Sequence, residues 1–199
     1  MVNMRPFTAF EQKNLKFLVN HNVKFTQVEI TPTGLGKGIL DSTAPMRAYF
    51  LENGIHNYEE QLQGQEHKQI KQACILTDAT QFFTKASFYR PNTKKGDPRM
   101  WIYGLGGYTE GNDIHVLIWH EQTLYSINIT HIDIEKCYDS AIITPMQDIL
   151  KAINKEGNSV SEELLGRFRA VKDQWFESEV TADTGIGRTI ESFLGISMN

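Results

Sequence analysis

Between residues 81 and 130, β-prone runs follow one another with short connections, and this succession most limits what the chain can fold into. Residues 81–90 carry Phe82, Phe83, Phe88 and Tyr89, and residues 99–104 are aromatic and β-prone. Residues 113–120 are nearly continuously apolar, as expected of a central strand. In 123–130, Tyr125, Ile127 and Ile129 recur at period two, the repeat of a strand with one buried face. Glu121, Gln122 and Thr123 fit a short connection between the last two runs. Strands in such close sequence predict a curled antiparallel sheet or barrel.

Helical signals flank this run. In residues 7–20, Phe7, Phe10, Leu15, Phe17, Leu18 and Val19 fall near helical spacing. Residues 24–30 read as a short strand. Residues 31–38 read as loop, because Pro32, Gly34, Gly36 and Gly38 break regular structure. A short helix is predicted over 45–52, stopped by Asn53 and Gly54. The glutamine-rich stretch 55–72 reads as loop with a helical turn. Beyond Ser140 the β-signal fades. Ser159 with Glu162 forms a capping-box pattern that predicts a helix to about residue 180, with Leu164, Leu165, Phe168, Val171, Trp175 and Phe176 on its apolar side. Residues 156–183 hold seven acids and three bases. A second helix is predicted from about 184, carrying Ile190, Phe193 and Leu194. The expected organisation is a domain at 1–155 followed by a helical segment at 156–199.

Composition narrows the function classes. With 40% hydrophobic residues the 199-residue chain has enough apolar content for a core. A net charge of −4 excludes a histone-like polycation, yet leaves room for a local basic stripe. No run approaches the roughly 18 apolar residues of a membrane helix, and residues 1–14 contain no apolar signal core. Cys74 and Cys137 stand apart without a CxxC spacing, so a reducing cytoplasm is the expected compartment.

The chemistry concentrates at residues 85–103. Lys85, Arg90, Lys94, Lys95 and Arg99 face only one acid, Asp97, on a chain that is acidic overall. Strong strands flank a centre rich in Pro, Asn, Gly and Asp, which describes a strand–loop–strand with cations at its tip. Such a tip can reach phosphates. Arginine pairs bidentately with guanine, and a carboxylate accepts from the cytosine amino group. On charge alone, the segment reads equally as a solvated hairpin tip.

The glycine-rich stretch TPTGLGKG (31–38) fails both nucleotide templates. Only two residues separate Gly34 from Lys37, and Ile39 stands where GxGxxG needs its third glycine. It can still bring backbone N–H groups and Lys37 close to a polyanion. His115 and His120 lie five residues apart on one strand and point to opposite faces, a poor ligand geometry. Asp133 and Glu135 share a face at strand spacing, but with Lys136 they fall one residue short of a nuclease-type acid–x–Lys pattern. No metal site is expected.

TGLGKGIL (33–40), followed by FYRPNTKKGDPRMWIYG (88–104), resembles the N-terminal effector domain of EcoRII-type restriction endonucleases, which is related to plant B-three DNA-binding domains. TGIGRTIESFLGI (184–196) is similar to the opening helix of MvaI/BcnI-family nuclease domains, with Gly185, Gly187, Thr189, Glu191 and Gly195 in register. The resemblance implies a mainly β fold with flanking helices (α+β): a seven-stranded, antiparallel, open pseudobarrel with a C-terminal helical segment. It implies two arms in the major groove of a short C/G-rich duplex of the CCNGG or CCWGG type. The first arm would use Thr33, Gly34, Lys37 and Ser42. The second would use Arg90, Asn92, Lys94, Lys95, Asp97 and Arg99, with Asp97 and Arg99 reading C and G and with Trp101 and Tyr103 packed beneath. Pro32 and Leu35 depart from the family's first arm. The catalytic acids would lie beyond Asn199, so this chain is expected to bind without cleaving and to need no cofactor. Its bacterial, cytoplasmic parent would be a Mg2+-dependent type IIE-like endonuclease, and the isolated domain is expected to be a monomer. Two other readings remain open from the residues. One is a complete metal-dependent nuclease using Asp133, Glu135 and a histidine. The other is a protein-interaction or small-ligand barrel with Phe88, Tyr89, Trp101, Tyr103 and Tyr108 lining a pocket.

Overall fold

The computed structural model describes residues 4–171. Seven strands form one mixed sheet in the order β1-β6-β7-β3-β4-β5-β2, curled into a nearly closed, mainly β pseudobarrel flanked by helices. The strands are β1 (Thr26–Glu29), β2 (Leu40–Asp41), β3 (Gln69–Leu76), β4 (Gln81–Tyr89), β5 (Arg99–Ile102), β6 (Ile114–His120) and β7 (Thr123–Asn128). The helices are α1 (Ala9–Asn20), α2 (Pro32–Lys37), α3 (Ala44–Glu52), α4 (Ile134–Tyr138) and α5 (Pro145–Val171). The first of two compact units ends at Ile153, and the site described below belongs to it.

One pairing corrects the antiparallel expectation. β3 runs parallel to β7, from Gln72↔Thr123 to Leu76↔Ile127, while the other neighbours pair antiparallel. Two antiparallel halves, β1-β6-β7 and β3-β4-β5-β2, therefore meet at a parallel seam. The β6–β7 turn is two residues long, Glu121 and Gln122, both at positive φ (44° and 61°), which matches the strands' right-handed twist.

Strand parity divides the apolar residues between two clusters. Val28, Leu40, Ala73, Ile75, Ala86, Phe88, Met100, Ile102, Leu117 and Leu124 fill the inside of the curl, joined by Met46, Tyr49 and Phe50 of α3. The opposite faces of β3, β6 and β7 present Cys74, Leu76, Val116, Ile118, Tyr125 and Ile127, roofed by Phe17 and Leu18 of α1, Ile134 of α4, and Met146 and Leu150 of α5.

Three local expectations change. Residues 31–38 are not a loop but hold a helix. Thr31 accepts from Gly34 N (3.0 Å), Pro32 starts α2 with its φ preset, and Gly38 ends it in the left-handed region (φ 61°). Capping at both ends overrides the breakers within. The polar stretch 69–72 is the first half of β3, a strand the glutamines conceal because this half is largely solvent-facing. Ser159 does not open a helix, because α5 begins at Pro145 and passes through it. The second helix expected from 184, with Gly185 to Gly195, and the helix positions Trp175 and Phe176 lie outside the described residues.

Candidate nucleic-acid interface

The two expected arms lead into neighbouring strands, β2 and β5. The first, 30–39, links the sheet's two edge strands and carries α2. The second, 90–98, links β4 to β5. Because β2 pairs antiparallel with β5 through Leu40↔Met100 and Asp41↔Arg99, both arms leave from the β2–β5 margin of the sheet but at opposite ends of this short ladder, the first beside Trp101 and the second beside Ser42.

Hydrogen bonds fasten the second arm to the segment that follows β2. Ser42 N donates to Pro98 O at 2.9 Å. The Tyr58 hydroxyl donates to Arg99 O (2.8 Å) and accepts from Ser42 Oγ (2.8 Å), so one buried phenol ties the exit of the second arm to the residue that follows β2. Burial pushes the Tyr58 hydroxyl far above its ordinary pKa, which keeps it a donor. The indole of Trp101 packs against Gly38, where an added Cβ would lie 3.5 Å from it. Gly34 is equally constrained, since a Cβ there would stand 2.5 Å from Ile39 O.

The second arm is braced from within. The Arg90 guanidinium donates to Gly96 O (2.9 Å), Tyr58 O (3.3 Å) and Gln61 O (3.2 Å). Gly64 N donates to Arg90 O (2.8 Å), and Gln61 Nε2 donates to Phe88 O and His67 O, each at 2.9 Å. At the tip, Lys95 (φ 56°) and Gly96 (φ 72°) are both left-handed, and Gly96 is buried under Gln63. This turn projects Asn92, Lys95 and Asp97 into solvent.

The expected contact residues thus sort into two groups. Thr33, Lys37, Asn92, Lys95 and Asp97 are exposed around the arm edge. Gly34 is half-buried in the backbone of α2, and the Lys94 side chain lies outside the described residues. Ser42 and Arg90 have inward partners and act as braces. Arg99 is intermediate. Its side chain is only 14% exposed, its Nε lies 3.6 Å from Asp41 Oδ1, and that Nε has no hydrogen-bond partner. Tyr103 is exposed and does not pack beneath an arm, in contrast to Trp101.

Sequence reasoning missed Tyr58, Gln61 and Arg47. Arg47 Nη1 donates to Ser42 O at 2.6 Å and adds a cation beside the first arm. Tyr58 was the lone aromatic residue in a polar stretch, the signal that could have marked it.

The rival sites fare differently. Asp133 caps α4 by accepting from Lys136 N, and with Glu135 it pairs Lys13 (3.1 and 2.9 Å), so both carboxylates serve the α1–α4 contact. His115 is fully buried, between Ser126 Oγ (2.9 Å) and Thr109 Oγ1 (3.0 Å). The aromatic residues proposed to line a pocket do not share one. Phe88 lies in the inner core, while Tyr103 and Tyr108 are exposed. A cavity of about 410 Å³ instead lies behind the second arm's brace, lined by Leu51, Ile55, His56, Gln61, Gln69 and Lys71 among others. Comparison with known protein families, curated proteins and solved structures finds no match to this chain.

Proposed function

We propose that this chain binds duplex DNA sequence-specifically, laying the two arms in the major groove. The observation that carries the reading is the β2–β5 pairing, which sets the glycine-rich arm and the basic arm at the two ends of one short antiparallel ladder on the sheet's margin. Lys37 and Lys95 meet phosphates, which supply affinity without sequence information. Asn92 and Thr33 reach base edges. Asp97 accepts from a cytosine amino group, and Arg99 turns from Asp41 toward guanine O6 and N7. Arg90, Ser42 and Tyr58 fix the spacing of the arms, so little ordering remains to be done on binding.

By the resemblance of 33–40 and 88–104, the chain serves as the effector domain of a type IIE-like restriction endonuclease, on a CCNGG or CCWGG-type site. Its parent, not this chain, cuts DNA with Mg2+. Selection from random duplexes followed by gel shifts tests the reading. An enriched C/G-rich site, bound far more tightly than scrambled duplex at moderate salt, is expected. Indifference to duplex sequence overturns it.

A further inference from the structure

The outer wall of the sheet is roofed over only part of its width. Helices α1, α4 and α5 cover β6, β7 and the end of β3. Over β4, β5 and the start of β3, large apolar side chains stand open: Phe83 is 65% exposed, Ile70 44% and Tyr103 41%.

The pairing register arranges this open wall as a grid. Lys85 lies across from Tyr103, whose N–H donates to Lys85 O. Ser87 lies across from Trp101 on one side and Ile70 on the other, and Tyr89 lies across from Arg99. Phe83 precedes Lys85 by two residues. Paired residues share a face and successive residues alternate, so Phe83, Lys85, Tyr103 and Tyr89 lie on the face away from the inner core, while Ser87 is buried and the Trp101 indole folds back against Gly38 and the inner cluster. Adjacent rows present Phe83 and Tyr103 about 6.8 Å apart along the strand, and Tyr89 stands two rows further on. Lys85 and Arg99 place a cation in alternate rows. Across from Arg99, Asp41 is its ion-pair partner.

We propose that this wall binds single-stranded DNA, with bases stacking on Phe83 and Tyr103 and the backbone phosphates meeting Lys85. Rings held on a sheet offer flat surfaces to any base, and interleaved cations follow the backbone between them. The cations also argue against a protein occupant, because protein interfaces lose charge at their centre, where Lys85 stands here. The strands concerned are paired on both sides, so the wall and not an edge is the available surface. The choice of DNA over RNA rests on the duplex reading, since the grid runs into the arm at 90–98; the stacking surface itself does not rest on it.

Fluorescence anisotropy with labelled oligothymidylate at low salt tests the wall. The wild-type chain is expected to bind. Phe83→Ala and Tyr103→Ala each weaken binding by roughly tenfold, and Phe83→Tyr restores it. Lys85→Ala flattens the salt dependence. Phe83 is exposed enough for its alanine variant to fold, and its duplex affinity should stay at the wild-type value. Absence of oligothymidylate binding, or wild-type affinity in both alanine variants, overturns the proposal. So does self-association that Phe83→Ala abolishes without any oligonucleotide binding, which gives the wall to a second copy. Tighter binding of oligouridylate overturns the assignment to DNA. Failure of duplex binding while oligothymidylate still tracks Phe83 and Tyr103 removes the arm reading and leaves the wall standing.

Discussion

The two halves of the barrel bury polar groups by different chemistry. Around α1 the buried groups are ionisable. Glu11 is fully buried and pairs Arg5 at 2.5 Å while accepting from Thr8 N and Thr130 Oγ1. Asp113 accepts from Thr109, Glu110 N, Asn128 and His131. Around the arms, the braces are instead a phenol, amides and a guanidinium on backbone carbonyls. The phenol, with its raised pKa, does not titrate in the acid range. The Tyr58 brace thus persists as pH falls, and the arm half's titratable group is the His56 imidazole beside Gln61, held below its ordinary pKa by burial, whereas the α1 half holds its stability in charge.

Acid should break the symmetry of the two halves most strongly. Burial holds His115 down to about 4 against 6.5 for a free imidazole. Its unfolded form therefore takes a proton first. The stability it contributes is complete above about pH 6.5, falls as pH drops toward 4, and is constant below that. The shift corresponds to roughly 3 kcal/mol. Glu11 is held down to about 2, chiefly by the Arg5 guanidinium, against 4.5. Its contribution is complete above pH 4.5 and is lost as pH falls toward 2. Urea midpoints followed from pH 7 to pH 3 should decline in two successive windows, and His115→Gln should remove the upper one. A flat profile between pH 6.5 and 4 would show that the imidazole is not desolvated as the packing requires.

Glu11→Ala sharpens the contrast by mutation. It strips the partner from Arg5 and leaves Thr8 N and the Thr130 hydroxyl without an acceptor, a loss of about 3 kcal/mol. Affinity for duplex, measured where the variant remains folded, should be unchanged. Loss of affinity would mean the two halves are coupled.

The uneven legibility of the sequence follows from the same division. The apolar and aromatic runs that form β4 to β7 report burial directly, on both faces in β6, and so does the helical spacing of α1. What stayed hidden was held by single polar side chains at long separation. Tyr58 reaches Arg99 across 41 positions and Gln61 reaches Phe88 across 27, and no local pattern encodes either. β3 was lost because its first half faces solvent. The charge run at 90–99 was plain in the sequence, but which of its cations face outward was not. Arg90 and Arg99 have the same residue type and similar strand-end positions, and only the carbonyls around Arg90 turn it inward.

Tyr58→Phe tests the arm half itself. It removes one donor from Arg99 O and leaves Ser42 Oγ unpaired in a buried setting, an expected loss of about 1–2 kcal/mol in urea unfolding. The discriminating readout is specificity. If the phenol sets the arm spacing, the ratio of specific to scrambled duplex affinity should fall severalfold while binding to scrambled duplex barely changes. A proportional fall in both would reduce Tyr58 to a stability residue.

The smallest effects on stability, and the clearest on recognition, belong to the exposed tips. Asp97→Ala and Lys37→Ala touch no buried partner, so each should leave the urea midpoint within the noise of surface substitutions. Their effects on binding should then separate. Asp97 is assigned to a base edge, so its loss should bring cognate and single-mismatch duplexes about tenfold closer in affinity at the cytosine it reads. Lys37 is assigned to a phosphate, so its loss should weaken all duplexes alike and reduce the slope of log affinity against log salt by about one. The comparison works because both residues sit on one edge but on different arms. Equal and sequence-independent losses for the two would leave the edge as a simple electrostatic surface, with no readout by the carboxylate.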